Sequence, residues 1–65
     1  MRFIKLTEVK RTYGNFERYF NADKIENFKR MTASTYLYMS TSSTAFEVVE
    51  TPEQIMQLIK QAEEI

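Results

Sequence analysis

Sixty-five residues suffice for one small domain, residues 1–65, and the chain contains neither Cys nor His. Disulfides, the usual zinc ligands, the best side-chain nucleophile and the commonest general base are therefore all excluded. Nine cations balance nine acids, so the molecule as a whole has no net field to draw it toward a polyanion.

A chain this short hides only about 60% of its unfolded surface on folding. With no metal or disulfide to help, the core must draw on the five Phe and four Tyr, or be completed by self-association. A homo-oligomer, in its commonest form a twofold dimer, is the expectation. No apolar run approaches the roughly 18 residues of a membrane span and the N-terminus has no signal-peptide pattern, so the expected setting is cytoplasmic, with no membrane partner.

In chain order, Arg2 to Val9 reads as a first strand, with Ile4 and Leu6 on one face and Lys5 and Thr7 on the other. Lys10 to Asn15 is a turn, where Gly14, the only glycine, can supply a positive φ. Phe16 to Phe20 is a short second strand. Asn21 to Lys24 suits an Asx-type turn or one turn of 3₁₀ helix. Residues 25–31 carry two signals. Ile25, Phe28 and Met31 recur every three residues, which is helical, yet the segment is short and lies between sheet-like runs, which favours a strand.

Thr32 to Thr35 is a polar connection, and Thr35 to Met39 a strand whose Leu37 and Met39 alternate with Tyr36 and Tyr38. Ser40 to Thr44 is a five-residue hairpin loop. Ala45 to Glu50 returns as a strand, with Phe46 and Val48 on one face and Glu47 and Val49 on the other. A helix follows. Thr51 can N-cap it, Pro52 fits its first position, and Gln54 stands where a capping box needs it. Ile55, Met56, Leu58, Ile59, Ala62 and Ile65 form its apolar stripe.

These elements give an α+β fold: a small antiparallel sheet of four to five strands with one C-terminal amphipathic helix packed on one face. The opposite face should show several of Tyr13, Tyr19, Phe28, Tyr36 and Tyr38, and contiguous exposed apolar area marks an interface.

Charge is unevenly placed. Residues 1–30 carry eight cations against four acids, and residues 31–65 one cation against five acids. Either the halves neutralise each other across the surface, or the basic half offers a face to a polyanion. Basic residues beside aromatic platforms hold single strands on open sheets. The candidate interaction surface joins both ideas: Arg11, Tyr13, Arg18, Tyr19, Phe28, Lys29, Arg30, Tyr36 and Tyr38.

Catalytic patterns are missing. Ser40, Ser42 and Ser43 have no activating neighbour in sequence. Glu47 with Glu50, and Glu63 with Glu64, fit a strand end and a solvated helix end better than acid–base work. One glycine cannot build a dinucleotide loop or a P-loop. No cofactor, metal or catalytic residue is expected, and the chain reads as no enzyme.

Four short runs together resemble FlbD-type small flagellar proteins and similar small bacterial and prophage proteins. They are Ile4-Lys-Leu-Thr7, Phe20-Asn21 with Asp23 and Ile25, the alternation from Thr35 to Met39, and the closing run from Phe46 to Ile55. In such proteins the stretch represented here by Val48 to Ile55 is the strand-to-helix junction. The loop from Met31 to Thr35 and the Ser/Thr-rich hairpin depart from the flagellar pattern, which favours a Gly-containing turn. The resemblance implies the fold and brings no catalytic or cofactor residues. The functional expectation is a non-enzymatic, self-associating interaction or accessory protein of a bacterium or prophage. The alternative is a nucleic-acid-binding regulator that uses residues 1–30.

Overall fold

Alternation of apolar and polar residues builds a five-stranded antiparallel sheet. The computed structural model describes residues 2–10 and 12–63, the side chain of Glu63 excepted. Its elements are β1 (Phe3–Lys10), β2 (Gly14–Asn21), a 3₁₀ turn (Ala22–Lys24), β3 (Ile25–Arg30), β4 (Thr35–Met39), β5 (Ala45–Val48) and α1 (Pro52–Glu63). The strands lie in the order β2-β1-β5-β4-β3. The α+β expectation therefore holds, with the sheet at its five-stranded limit.

β2 and β3 are the two outermost strands, yet only three residues join them. In a flat sheet they would stand about 19 Å apart, four strand spacings. The chain from Asn21 to Ile25 reaches at most about 14 Å. The sheet must curl, and the 3₁₀ turn draws its two edges together at one end. Backbone bonds fasten that closure on both sides: Ala22 N–H donates to the Arg2 carbonyl at 2.7 Å, and Ser40 N–H to the Lys24 carbonyl at 2.8 Å. Asn21 Oδ1 accepts from Asp23 N–H at 3.0 Å, so the expected Asx turn and 3₁₀ turn are one structure.

The concave face carries the core. Ile4, Leu6, Phe20, Leu37, Met39 and Val48 are buried there with Ile55 of the helix. β3 reaches this face through a bulge between Ile25 and Asn27. The extra residue puts Ile25, opposite Met39, and Phe28, opposite Leu37, on the same side. A three-residue spacing that mimics a helix is thus a bulged strand, as the short-segment argument favours. Phe28 accordingly packs against the core and does not join the tyrosines on the outer face, which corrects that expectation.

The helix begins where its cap dictates. Thr51 N–H donates to Gln54 Oε1 at 2.8 Å, and Gln54 N–H donates to Thr51 Oγ1 at 3.2 Å, a reciprocal capping box. Ile55 is fully buried, and Leu58, Ile59 and Ala62 pack against the core at its margin. Met56 lies outside the stripe, 54% exposed, and Ile65 lies outside the described residues. α1 packs against β1 and β3, second and fifth in the sheet order, which only a curled sheet allows. Twelve helical residues span about 18 Å, against a molecule 35 Å in its longest dimension. One such helix cannot cover the whole concave face.

Four strands have limits other than those expected: β1 runs from Phe3 to Lys10 rather than from Arg2 to Val9, and β3 stops at Arg30 rather than Met31. β2 runs from Gly14 to Asn21 rather than from Phe16 to Phe20, because β1 pairs with it along its full length up to the tight turn at Gly14, whose φ is +85°. β5 stops at Val48. The next two residues hold β1 differently. Val49 N–H donates to the Thr7 carbonyl, and the Glu50 carboxylate accepts from Thr7 N–H at 2.8 Å and Thr7 Oγ1 at 2.9 Å.

Candidate interaction surface

β2 is the least protected strand. Six of its eight residues are exposed, and Phe20 alone is buried. The direction of its unused backbone groups follows from Thr7. In an antiparallel ladder each residue points its N–H and C=O to the same side. Thr7 spends both on Val49 and Glu50, hence toward β5. Glu17, opposite Thr7 in the β1–β2 ladder, must then point its own N–H and C=O away from β1. Asn15 and Tyr19 share that orientation by the period of two. These residues present the open edge, with Tyr19 65% exposed beside it and Tyr13 83% exposed near the hairpin tip.

The concave side of the same strand holds a polar cluster. Glu8 continues the Ile4, Leu6 series and is only 2% exposed. Burying a carboxylate is costly unless it is paired. Arg18 Nη1 donates to Glu8 Oε1 at 3.0 Å, and Lys10 Nζ lies 3.5 Å from Oε2. The Arg18 guanidinium also lies over the rings of Phe46 and Phe20, at 5.1 and 5.8 Å from their centroids. Those rings meet edge-to-face with centroids 5.3 Å apart. Arg18 is therefore fixed by a carboxylate behind it and two rings beneath it, while 47% of its side chain stays exposed.

Beside Arg18 opens a groove of about 390 Å³. Phe20, Phe46 and Met39 supply its apolar lining, and Arg18 and Lys24 its charge. Tyr19, Asn21, Thr41 and Ser42 complete the rim. Among the described residues, none of α1 and no carboxylate lines it.

The residues expected to form one surface divide into separate groups. Arg18 and Tyr19 line the groove, and Tyr13 lies beyond it at the turn. Lys29, Arg30, Tyr36 and Tyr38 lie on β3 and β4, toward the opposite edge. There Lys29 Nζ stands 6.0 Å from the Tyr38 ring centroid, and Arg30 pairs with Glu53 of the helix. Phe28 belongs to the core, and Arg11 lies outside the described residues. Glu8 and Phe46 lie outside that set, and Lys24 enters only among the cations of residues 1–30 in the nucleic-acid alternative. Glu8 could have been noticed as an acid in register with Ile4 and Leu6, whereas Lys24 and Phe46 reach Arg18 only once the sheet has curled.

Most of the described ion pairs lie within the first half, which leaves its excess of cations over acids in place. Arg2 pairs with Asp23, Lys5 with Glu17, and both Lys10 and Arg18 with Glu8. Among the described ion pairs, Arg30 with Glu53 alone crosses between halves. The Arg2 hydrogen bond holds the Asp23 carboxyl below its ordinary value. Glu53 is lowered first by its own backbone N–H at the helix start and then by Arg30. Glu47 and Glu50 serve separate contacts, with Ser34 Oγ at 2.7 Å and with Thr7. Glu63 and Glu64 cannot be compared, since neither side chain is among the described residues. Among the described residues no helix is long and apolar enough to cross a membrane. Comparison with known proteins gives no matching family model, no matching curated protein and no matching solved structure.

Proposed function

We propose that this chain is a non-enzymatic interaction module that self-associates through the open edge of β2, antiparallel to a second copy of itself. The observation that supports this reading is the strand itself: eight residues long, outermost in the sheet, six of them exposed, with outward backbone groups at Asn15, Glu17 and Tyr19. Such an edge is a template for another strand unless charge or shape blunts it. Its charges are already occupied within the subunit, Glu17 by Lys5 and Arg18 by Glu8.

Symmetry narrows the register. Residues opposite each other in a ladder share a face, so a twofold axis must pass through a residue position rather than between two. An axis at Glu17 would set two carboxylates against each other. An axis at Tyr19 pairs the two Tyr19 rings, sets Glu17 against Asn21, and on the other face sets Arg18 against Phe20. No like charges meet in that register.

Sedimentation equilibrium up to high micromolar concentration tests the reading, with Glu17→Pro as control. Proline at position 17 removes an N–H that β1 does not use, so it is tolerated on a free edge but blocks pairing there. A dimer that becomes a folded monomer in Glu17→Pro is the expected result. A wild-type protein that stays strictly monomeric, or a Glu17→Pro protein that dimerises normally, defeats it.

A further inference from the structure

The groove beside Arg18 has features that edge pairing does not use. Its volume, about 390 Å³, falls in the range of small-ligand sites. Its charged lining is of one sign, Arg18 and Lys24, and Thr41 and Ser42 border it, the Ser42 hydroxyl being bonded to Thr44. Its floor is aromatic and thioether: Phe46, Phe20 and Met39. The cation is built in rather than merely present. Glu8, 2% exposed, accepts a hydrogen bond from one end of the guanidinium, and the Phe46 and Phe20 rings lie 5.1 and 5.8 Å from its central carbon. A guanidinium so fixed loses little freedom when it binds an anion and keeps its remaining N–H groups for bidentate contact. Lys24 makes no described ion pair and lines the same groove from the 3₁₀ turn.

We infer that this groove binds a nucleotide unit, its phosphate between Arg18 and Lys24 and its base against Phe46 and Met39, with the Ser42 and Thr41 hydroxyls at the rim. The charge complementarity requires an anion, and the apolar floor requires a flat body attached to it. A phosphate ion alone would leave that floor wet, and a nucleoside would leave Lys24, and the N–H groups of Arg18 that Glu8 does not use, without an anion. Free nucleotide and the repeating unit of a single strand share this chemistry.

Binding is read from amide and side-chain NMR shifts of the full chain at low salt, with four probes. These are inorganic phosphate, thymidine, thymidine 5′-monophosphate and a short oligothymidylate. The nucleotide should bind more tightly than either phosphate or thymidine, with shifts centred on Tyr19, Ser42 and Phe46. Lys24→Ala removes an exposed side chain and leaves the Glu8–Arg18 pair untouched, so the protein stays folded. For the oligonucleotide it should weaken binding and lower the slope of log affinity on log salt by about one. An oligonucleotide that binds more tightly than the mononucleotide identifies a single strand as the source, and equal affinity identifies free nucleotide. Phosphate that binds as well as nucleotide, shifts that map elsewhere, or affinity unchanged in Lys24→Ala overturns the assignment. Glu17→Pro changes the open edge and not the groove, so loss of self-association and loss of nucleotide binding are separable results.

Discussion

The concave face of the sheet is closed in two ways, and the contrast shows what one short helix can do. Under α1 the closure is hydrocarbon: Leu6, Leu37, Val48 and Ile55 are each fully buried. Toward the 3₁₀ turn the helix does not reach, and the closure is a guanidinium. Arg18 lies across Phe20 and Phe46 and meets buried Glu8 from above. Its aliphatic stem and planar head cover aromatic surface while its charge stays in contact with water. The first solution gives stability without any recognition chemistry. The second leaves a charged, half-open groove.

The largest expected effect lies on the covered side. Ile55→Ala should cost about 2–5 kcal/mol, a large part of what so small a domain possesses. Urea denaturation followed by circular dichroism measures it. Ile59, only partly buried, should cost less when truncated in the same way. Equal losses at the two positions would mean that the helix is held by a broad stripe rather than by one central side chain.

On the open side, Arg18→Leu leaves Glu8 with Lys10 alone and should destabilise by about 1–3 kcal/mol. The double variant with Glu8→Leu sharpens the contrast. Replacing both partners of a buried pair is often nearly neutral, whereas removing one strands the other. The double variant should thus recover much of the loss. If it merely adds the two single losses, the guanidinium contributes packing on Phe46 rather than charge pairing.

The same contrast explains what could be read in the sequence. The covered side was legible, because alternation in β1, β4 and β5 and the Thr51–Gln54 cap are local patterns with local causes. Gly14 likewise announced its turn. The helix stripe that spacing implies is too wide at Met56, because spacing alone does not tell how much of a helix the sheet can cover. Sequence pattern makes β2 too short, because its limits are set by pairing with β1 and not by its own residues. The open side was scarcely legible. Composition points to Arg18 and Tyr19, and Glu8 meets Arg18 across the β1–β2 hairpin, but Lys24 and Phe46 come from segments that join them only when the sheet curls. The bulge in β3 hid Phe28 in the same way, by changing which face a fixed spacing points to.

A smaller effect tests the junction between sheet and helix. Thr51→Ala removes one side of the capping box seen between Thr51 and Gln54 and should cost about 1 kcal/mol. The loss should leave the β1–β2 hairpin amides as protected from hydrogen exchange as before while α1 amides exchange faster. Uniform loss of protection would show that the two sides of the molecule unfold only together.

The smallest effect is electrostatic, and it compares two tethers rather than two faces. Arg2 with Asp23 ties the start of β1 to the 3₁₀ turn, and Arg30 with Glu53 ties β3 to the first turn of α1. Both carboxyls titrate below their ordinary values of 3.8 and 4.5 in the folded protein. A carboxyl whose folded pKa is depressed binds protons more weakly than in the unfolded chain. Its contribution is complete above the unfolded value and is lost as pH falls through the folded one. Stability should therefore be insensitive to these two groups above about pH 5 and decline below it. Both pairs are exposed, so added salt should shrink the effect. Asp23→Asn and Glu53→Gln, measured by thermal unfolding from neutral pH downward, should each flatten part of that decline. Because Glu53 is held first by its own backbone N–H, Arg30→Gln should flatten the curve less than Glu53→Gln does. Equal flattening would assign the whole shift to the ion pair and none to the helix terminus.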